Sequence, residues 1–249
     1  AHRAHASTTQ LASFFPNAKM AGLLMNAEIE NAKKVLLHAE RPFTAIVGGA
    51  KVSDKILIVE NLLNLADHII IGGGMAYTFF KALGGHIGNS LCETERLDTC
   101  LEILNKAKTK GVQIHLPIDA IAADRFAADA NTQIEPSNAI SEDRMGLDIG
   151  PNAIADFEAV LLQSKTSLWN GPMGVFEMPA FENGTKSMAL AVASATKNGA
   201  FSLIGGGDSA AAVQKFNLGS HVSYVSTGGG ALLEYFEGKV LPGVEALEA

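Results

Sequence analysis

Apolar residues recur along this chain with two alternating periods. Short apolar or β-branched runs read as strands: Phe43–Val47, His68–Ile71, Val112–Leu116, Thr166–Trp169, Phe201–Ile204 and Val222–Val225. Stretches of helical spacing lie between them, from about Val52 to Leu65, through Leu83, and over Thr94–Lys110, Ala153–Gln163, Pro179–Lys197, Ser209–Phe216 and Ala231–Glu237. Ahead of the series, Met20–His38 predicts an amphipathic helix, with Leu23, Leu24, Ala27, Val35 and Leu36 apolar and Glu28, Glu30, Lys33 and Lys34 polar. Glu40-Arg41-Pro42 ends it, because the residue before a proline resists the α region. Strand–helix alternation at this spacing predicts an α/β fold, doubly wound, with a mainly parallel sheet and helices on both faces. Residues Asp124–Glu142 break the rhythm and read as a long excursion or small hairpin rather than a domain boundary.

Composition narrows the class. The chain has 249 residues, 47% hydrophobic and 18% charged, which fits a globular chain with one large core and excludes disorder. Its net charge of −7 predicts no broad basic face and hence no nucleic-acid partner. No stretch approaches the roughly 18 apolar residues of a membrane span, so no membrane partner is expected. Cys92 and Cys100 form no CxxC motif, and such sparse cysteine suits a reducing cytoplasm. The start, Ala1-His2-Arg3, has no initiator Met, from which we expect a processed start or a piece of a longer chain.

The glycines cluster where predicted strands hand over to helices: Gly48-Gly49, Gly72-Gly73-Gly74, Gly171 with Gly174, Gly205-Gly206-Gly207 and Gly228-Gly229-Gly230. In an open parallel sheet these turns share the carboxyl edge, where ligands bind. One cluster is an ordinary turn; five on one edge predict a phosphate- or nucleotide-binding edge, with bare helix N–H groups facing the anion. No G-x-x-x-x-G-K-[ST] is present, and Gly72-Gly73-Gly74-Met75-Ala76-Tyr77 places Tyr where a dinucleotide fingerprint needs its third Gly.

Lys51 and Lys55 follow a Gly-Gly turn four residues apart, which predicts both ammonium groups on one face of a helix start, with an anion between them. Asp208 after three glycines reads equally as an N-cap or as a hard carboxylate for Mg²⁺. Glu177 reads as an acceptor for ribose hydroxyls or as a first-turn acid. Ser209 and Ser226-Thr227 read first as caps. His68, His86, His115 and His221 read as isolated structural histidines, and Trp169 as core with its N–H at the cleft.

Taken together, these segments resemble the phosphoglycerate kinase family. They are Gly48–Lys55, Ile70–Ala76, Trp169-Asn170-Gly171-Pro172-Met173-Gly174-Val175-Phe176-Glu177, Gly205–Ser209 and Ser226–Ala231, with Ala1–His5 and Gly238–Val244 at the two ends. The resemblance covers the whole chain in order. It implies the nucleotide half of a two-domain enzyme that transfers phosphate between 1,3-bisphosphoglycerate and ADP. The fold implied is Rossmann-like. Residues 1–19 would be the tail of an absent amino-terminal domain, 20–38 the interdomain helix, 39–238 the nucleotide domain, and 239–249 a segment returning toward the absent domain.

On the same resemblance, Lys51, Gly206 and Gly229 would be catalytic. Gly49, Lys51, Lys55, Gly73, Gly74, Gly146, Asn170, Pro172, Glu177, Gly206, Gly207, Asp208, Ser209 and Gly228 would bind ADP/ATP, with Mg²⁺ on Asp208 and the glycerate substrate on Arg3. A monomer is implied, with 3-phosphoglycerate or 1,3-bisphosphoglycerate bound only alongside the absent domain. The readings it displaces are a stand-alone adenylate-sensing module and a nicotinamide dehydrogenase domain.

Overall fold

The computed structural model describes residues 1–248. Helix α1 (Leu23–Leu37) precedes β1 (Phe43–Val47), α2 (Ile56–Leu62), β2 (His68–Ile71), α3 (Met75–Ala82) and the short β3 (His86–Ile87). Next come α4 (Leu97–Lys110), β4 (Gln113–His115), β5 (Asp119–Ala123), β6 (Thr132–Pro136), β7 (Ala139–Ile140) and β8 (Met145–Ile149). Then follow α5 (Pro151–Gln163), β9 (Thr166–Asn170), α6 (Asn183–Lys197), β10 (Phe201–Gly205), α7 (Gly207–Lys215), β11 (Tyr224–Val225), α8 (Gly230–Phe236) and α9 (Pro242–Glu248).

Six strands form one parallel sheet in the order β11-β10-β9-β1-β2-β4. Chain order therefore reverses between β1 and β9, the switch point of a doubly wound sheet. Alternation along the strands divides the core. Phe43, Ala45 and Val47 face α2, α3, α4 and α8 with Ile69, Ile71, Leu168 and Leu203. Ile46, Ile70, Trp169 and Ile204 face α5, α6 and α7. Each fully buried Ile contributes about 1.5–3 kcal/mol over an exposed one.

The interruption after Asp124 is a hairpin, β5 with β6, and β8 pairs antiparallel to the other edge of β5. The Asp124 carboxylate closes its turn by accepting from the Asn131 N–H at 3.0 Å and from Asn131 Nδ2 at 2.9 Å. This second sheet also caps two helices. Asp119 on β5 accepts the Asn152 and Ala153 N–H groups of α5 (3.1 and 2.8 Å), and Asp148 on β8 accepts the Gly184 N–H of α6 (2.7 Å).

Three expectations need correction. The helix expected from Val52 starts at Ile56, because the Glu93 carboxylate accepts both the Ser53 N–H (3.0 Å) and its hydroxyl (2.5 Å) and holds Val52–Lys55 as a turn. Lys51 and Lys55 therefore precede the helix rather than sharing a face of it. Helix α1 buries only Ala32 and Val35, while Leu23 is 92% exposed, so the apolar stripe of its first turn has no cover among the described residues. His68 and His115 are not isolated: Nδ1 of one lies 3.1 Å from Nε2 of the other across β2 and β4.

Candidate nucleotide site

The switch point is made of backbone packed on backbone. Gly48 N–H donates to Asn170 O (2.8 Å), Gly49 N–H to Pro172 O (3.0 Å), Gly73 N–H to Met173 O (3.0 Å), and Met75 N–H to Gly49 O (3.0 Å). A Cβ on Gly48 would penetrate the Pro172 and Gly171 carbonyls, and one on Gly171 (φ 95°) the Gly48 carbonyl. Only glycine lets the two loops approach this closely. The Gly49 and Gly73 amides thus serve this interlock and are not offered to an anion.

Above the interlock, between the carboxyl edge of the main sheet and β8, lies a cavity of about 500 Å³. Gly49, Gly73, Gly74, Tyr77, Gly146, Pro172 and Gly174 wall its apolar part, and Glu177 and Asp208 also line it. Tyr77 lies directly over Gly146, where a Cβ would clash with its hydroxyl, and Ser90 Oγ accepts the Gly146 N–H (2.9 Å).

Behind the cavity, Asn170 is almost fully buried. Its Oδ1 accepts from Lys55 Nζ, and its Nδ2 donates to Gly205 O (2.8 Å). Asn170 does not line the cavity; it joins Lys55 to the end of β10. Burial lowers the Lys55 pKa, and the Asp208, Asp54 and Glu237 carboxylates partly oppose that fall. Gly206 opens α7 with φ 89° and ψ 149°, a glycine conformation, and leaves the first N–H groups of the helix without intrahelical partners. Ser209 is buried, and its Oγ accepts the Gly171 N–H (2.6 Å), tying α7 back to the interlock.

A second cavity, of about 810 Å³, lies along α7 and is lined by Gly206, Gly207, Thr227 and Gly229. The Ser226-Thr227-Gly228 turn is held from α1: Glu28 accepts from Ser226 Oγ (2.5 Å), the Thr227 N–H (2.7 Å) and Thr227 Oγ1 (2.9 Å). The Gly228 N–H donates to Ser226 Oγ (3.0 Å). A glycine-lined cavity at a switch point, beside the start of a helix that bears Asp208 in its first turn, is the arrangement expected for a phosphate-bearing ligand.

The phosphoglycerate kinase family model matches residues 1–239. The chain belongs to the phosphoglycerate kinase family.

It is 55% identical over 249 residues to the phosphoglycerate kinase of Porphyromonas gingivalis and 50% over 248 residues to that of Dictyoglomus turgidum. Those matches take in the whole chain but only 60% and 62% of the relatives' own lengths. Among solved structures, phosphoglycerate kinase from Coxiella burnetii matches 99% of the chain with a TM-score of 0.94 at 46% identity. That from Pyrococcus horikoshii matches 99% with 0.82 at 30%. The chain covers 62% and 61% of those two proteins, respectively.

Within this phosphoglycerate kinase family member, the fold gathers Gly49, Gly73, Gly74, Gly146, Pro172, Glu177 and Asp208 around one cavity, and Gly206, Gly207 and Gly229 around the other. Lys55, Asn170 and Ser209 line neither cavity: Lys55 is joined through Asn170 to Gly205, the residue before Gly206, and Ser209 to Gly171. Lys51 is exposed and lines neither cavity. Arg3 is exposed on an N-terminal segment whose Ala1 carbonyl accepts the Gly243 N–H (2.9 Å). Trp169 Nε1 donates to Gly171 O (2.7 Å) inside the core, so its N–H does not face the cleft.

Two side chains escaped the sequence reading. Asp148 lines the first cavity yet is buried, and it fits only because Gly174 and Gly184 have no Cβ to fill its place. Burial pushes its carboxyl up to about 7, against the downward pull of the Gly184 and Ile149 N–H groups. The same enclosure, with Asp148 alongside, raises the Tyr77 phenol. An acid inside the apolar run Met145–Ile149 was the available signal. Lys215 is the second: it looks like an ordinary basic residue in a helix's last turn, and only its tertiary contacts distinguish it.

Proposed function

We propose that this chain is the nucleotide half of a glycolytic phosphoglycerate kinase. The reaction breaks the bond between the C1 carboxyl oxygen of 1,3-bisphosphoglycerate and phosphorus, and forms one from that phosphorus to a terminal oxygen of ADP. The products are 3-phosphoglycerate and ATP, and the step is reversible. The observation that carries this reading is the pair of cavities flanking the start of α7, one lined by Asp208 and the other by Gly206 and Gly207. The glycine-walled one suits a purine base and ribose, and the larger one suits the phosphoryl group in transit.

In this reading the base lies against Gly73, Gly74, Gly146 and Pro172, and Glu177 accepts from the ribose hydroxyls. Lys55 and the α7 amides at Gly207–Ser209 grip the nucleotide phosphates, while Gly206 and Gly229 present N–H groups to the phosphoryl group in flight. Lys51, free to swing from its exposed turn, follows that group and neutralises charge. Asp208, an exposed carboxylate at the phosphate end, would hold Mg²⁺ together with the phosphate oxygens, a fit for an ion that favours one or two carboxylates plus phosphates. When bound, the ion neutralises phosphate charge. Little covalent chemistry falls to such a site; positioning and electrostatics supply the rate.

Residues 1–19 and 239–249 are assigned to the approach to a second domain that carries the glycerate substrate, with Arg3 on that side and α1 as the connecting helix. Without the acceptor held in place, proximity is lost and with it most of the rate. Titration calorimetry of the 249-residue chain with MgADP is expected to show saturable binding, weakened about tenfold or more in Lys55→Met. A coupled assay is expected to show turnover near background. Binding of NADH in place of MgADP, or turnover matching a full-length relative, would overturn the reading.

A further inference from the structure

Lys215 stands at the last turn of α7, the helix whose first turn bears Gly207 and Asp208. Its ammonium makes contacts that join three segments. It donates to the Phe176 carbonyl (2.7 Å) and pairs with Glu182 Oε2 (2.6 Å), the residue just before α6. It also lies over the Phe176 and Phe216 rings at 6.0 and 5.7 Å. Phe176 is the residue immediately before Glu177.

The segment around Glu177 has little regular structure of its own. Its backbone makes two tight turns, Phe176 N–H to Gly174 O (2.9 Å) and Met178 N–H to Val175 O (3.0 Å). On one side Val175 N–H donates to Leu147 O (2.9 Å), fastening it to β8 and the base wall. On the other side the Phe176 carbonyl is fastened to Lys215. Glu177 is itself exposed, so its direction is set by how its neighbours are held: by these two fastenings together with the buried Phe176 ring. The nine residues of α7 then form a strut of about 13 Å, with Asp208 near one end and the clamp on Glu177 at the other.

We propose that Lys215 is a positioning residue that fixes the Glu177 carboxylate for the ribose hydroxyls and sets its distance from the phosphate-binding start of α7. This rests on the nucleotide reading above. The ammonium does not touch the nucleotide; it holds the carbonyl next to the residue that does. Methionine at 215 keeps the aliphatic stem over the two rings and removes both the donor and the charge. Arginine retains a donor for the carbonyl and a partner for Glu182.

The test compares MgADP with Mg-2′,3′-dideoxy-ADP by titration calorimetry in the 249-residue chain, in Lys215→Met and in Lys215→Arg, with thermal melts of each. The wild type is expected to favour ADP by about tenfold, the worth of a hydrogen bond to a charged acceptor. In Lys215→Met that preference is expected to collapse toward unity, with the dideoxy affinity nearly unchanged, and Lys215→Arg is expected to restore most of it. A role confined to stability would lower both affinities in parallel with the melting temperature and keep their ratio; that result overturns the proposal. Wild-type binding of ADP without preference over the dideoxy analogue overturns it too, by removing the Glu177–ribose contact while leaving nucleotide binding intact. Failure of the wild type to bind either nucleotide overturns the nucleotide reading itself, and the proposal with it.

Discussion

At the scale of single residues, enclosure governs the site's chemistry. Asp148 is held by two backbone N–H groups and by the absence of side chains at Gly174 and Gly184, yet its carboxyl sits near 7 because desolvation outweighs those bonds. A carboxyl raised in the folded state above its ordinary 3.8 binds more protons folded than unfolded through that interval. Its contribution to stability is therefore whole below about pH 4 and is lost as pH rises through 7. Melting temperatures measured from pH 5 to pH 8 are expected to fall through this group, and Asp148→Asn to flatten that slope. An unchanged slope in the variant would show that other groups set it. Here the sequence was legible only in part. The glycines announced close approach, but Gly174 and Gly184 make room for a carboxylate that spacing does not connect to them. The spacing of Lys55 after its Gly-Gly turn points to an anion, but its bond to Asn170 spans 115 residues and no local pattern encodes it.

At the scale of elements, helices that bury little are secured by polar contacts. Helix α1 places Ala32 and Val35 in the core, and Glu28 supplies three hydrogen bonds to the Ser226-Thr227 turn. Glu28→Ala is expected to cost about 1.5–3 kcal/mol of stability, the range for hydrogen bonds to a charged group. Amide exchange is expected to rise in α1 and around Ser226–Gly228 more than in β1 or β9. Uniform exchange across the chain would show that α1 is held by other means. Strand positions were readable because full burial leaves continuous apolar runs: Phe43–Val47 and His68–Ile71 match to the residue. The start of α2 was not, because Glu93, forty residues on, pins the Ser53 N–H while Lys55 N–H closes a turn onto the Val52 carbonyl before the helix begins.

At the scale of the whole molecule, two apolar layers share one central sheet, and Trp169, the chain's single tryptophan, lies fully buried in it. Neither layer survives separation of the strands, so unfolding is expected to be cooperative. Trp169 fluorescence should start blue-shifted and move in one transition coincident with the far-ultraviolet circular dichroism signal; two separated transitions would show that the layers melt independently. No helix among the described residues is long and apolar enough to cross a membrane, in line with the hydropathy pattern. The exposed apolar turn at Met20–Leu24 shows that the periodicity of α1 encodes a face to be buried without encoding what buries it. The sequence by itself determined the strand–helix alternation and the five glycine turns on one edge, because burial and backbone freedom are read locally from residue type. Only the tertiary structure decided the strand order with its switch point, the enclosure of Asp148, and the reach of Lys55 and Lys215 to partners far along the chain. Those depend on which distant segments meet, and the desolvation that tunes a charge exists only after they have met.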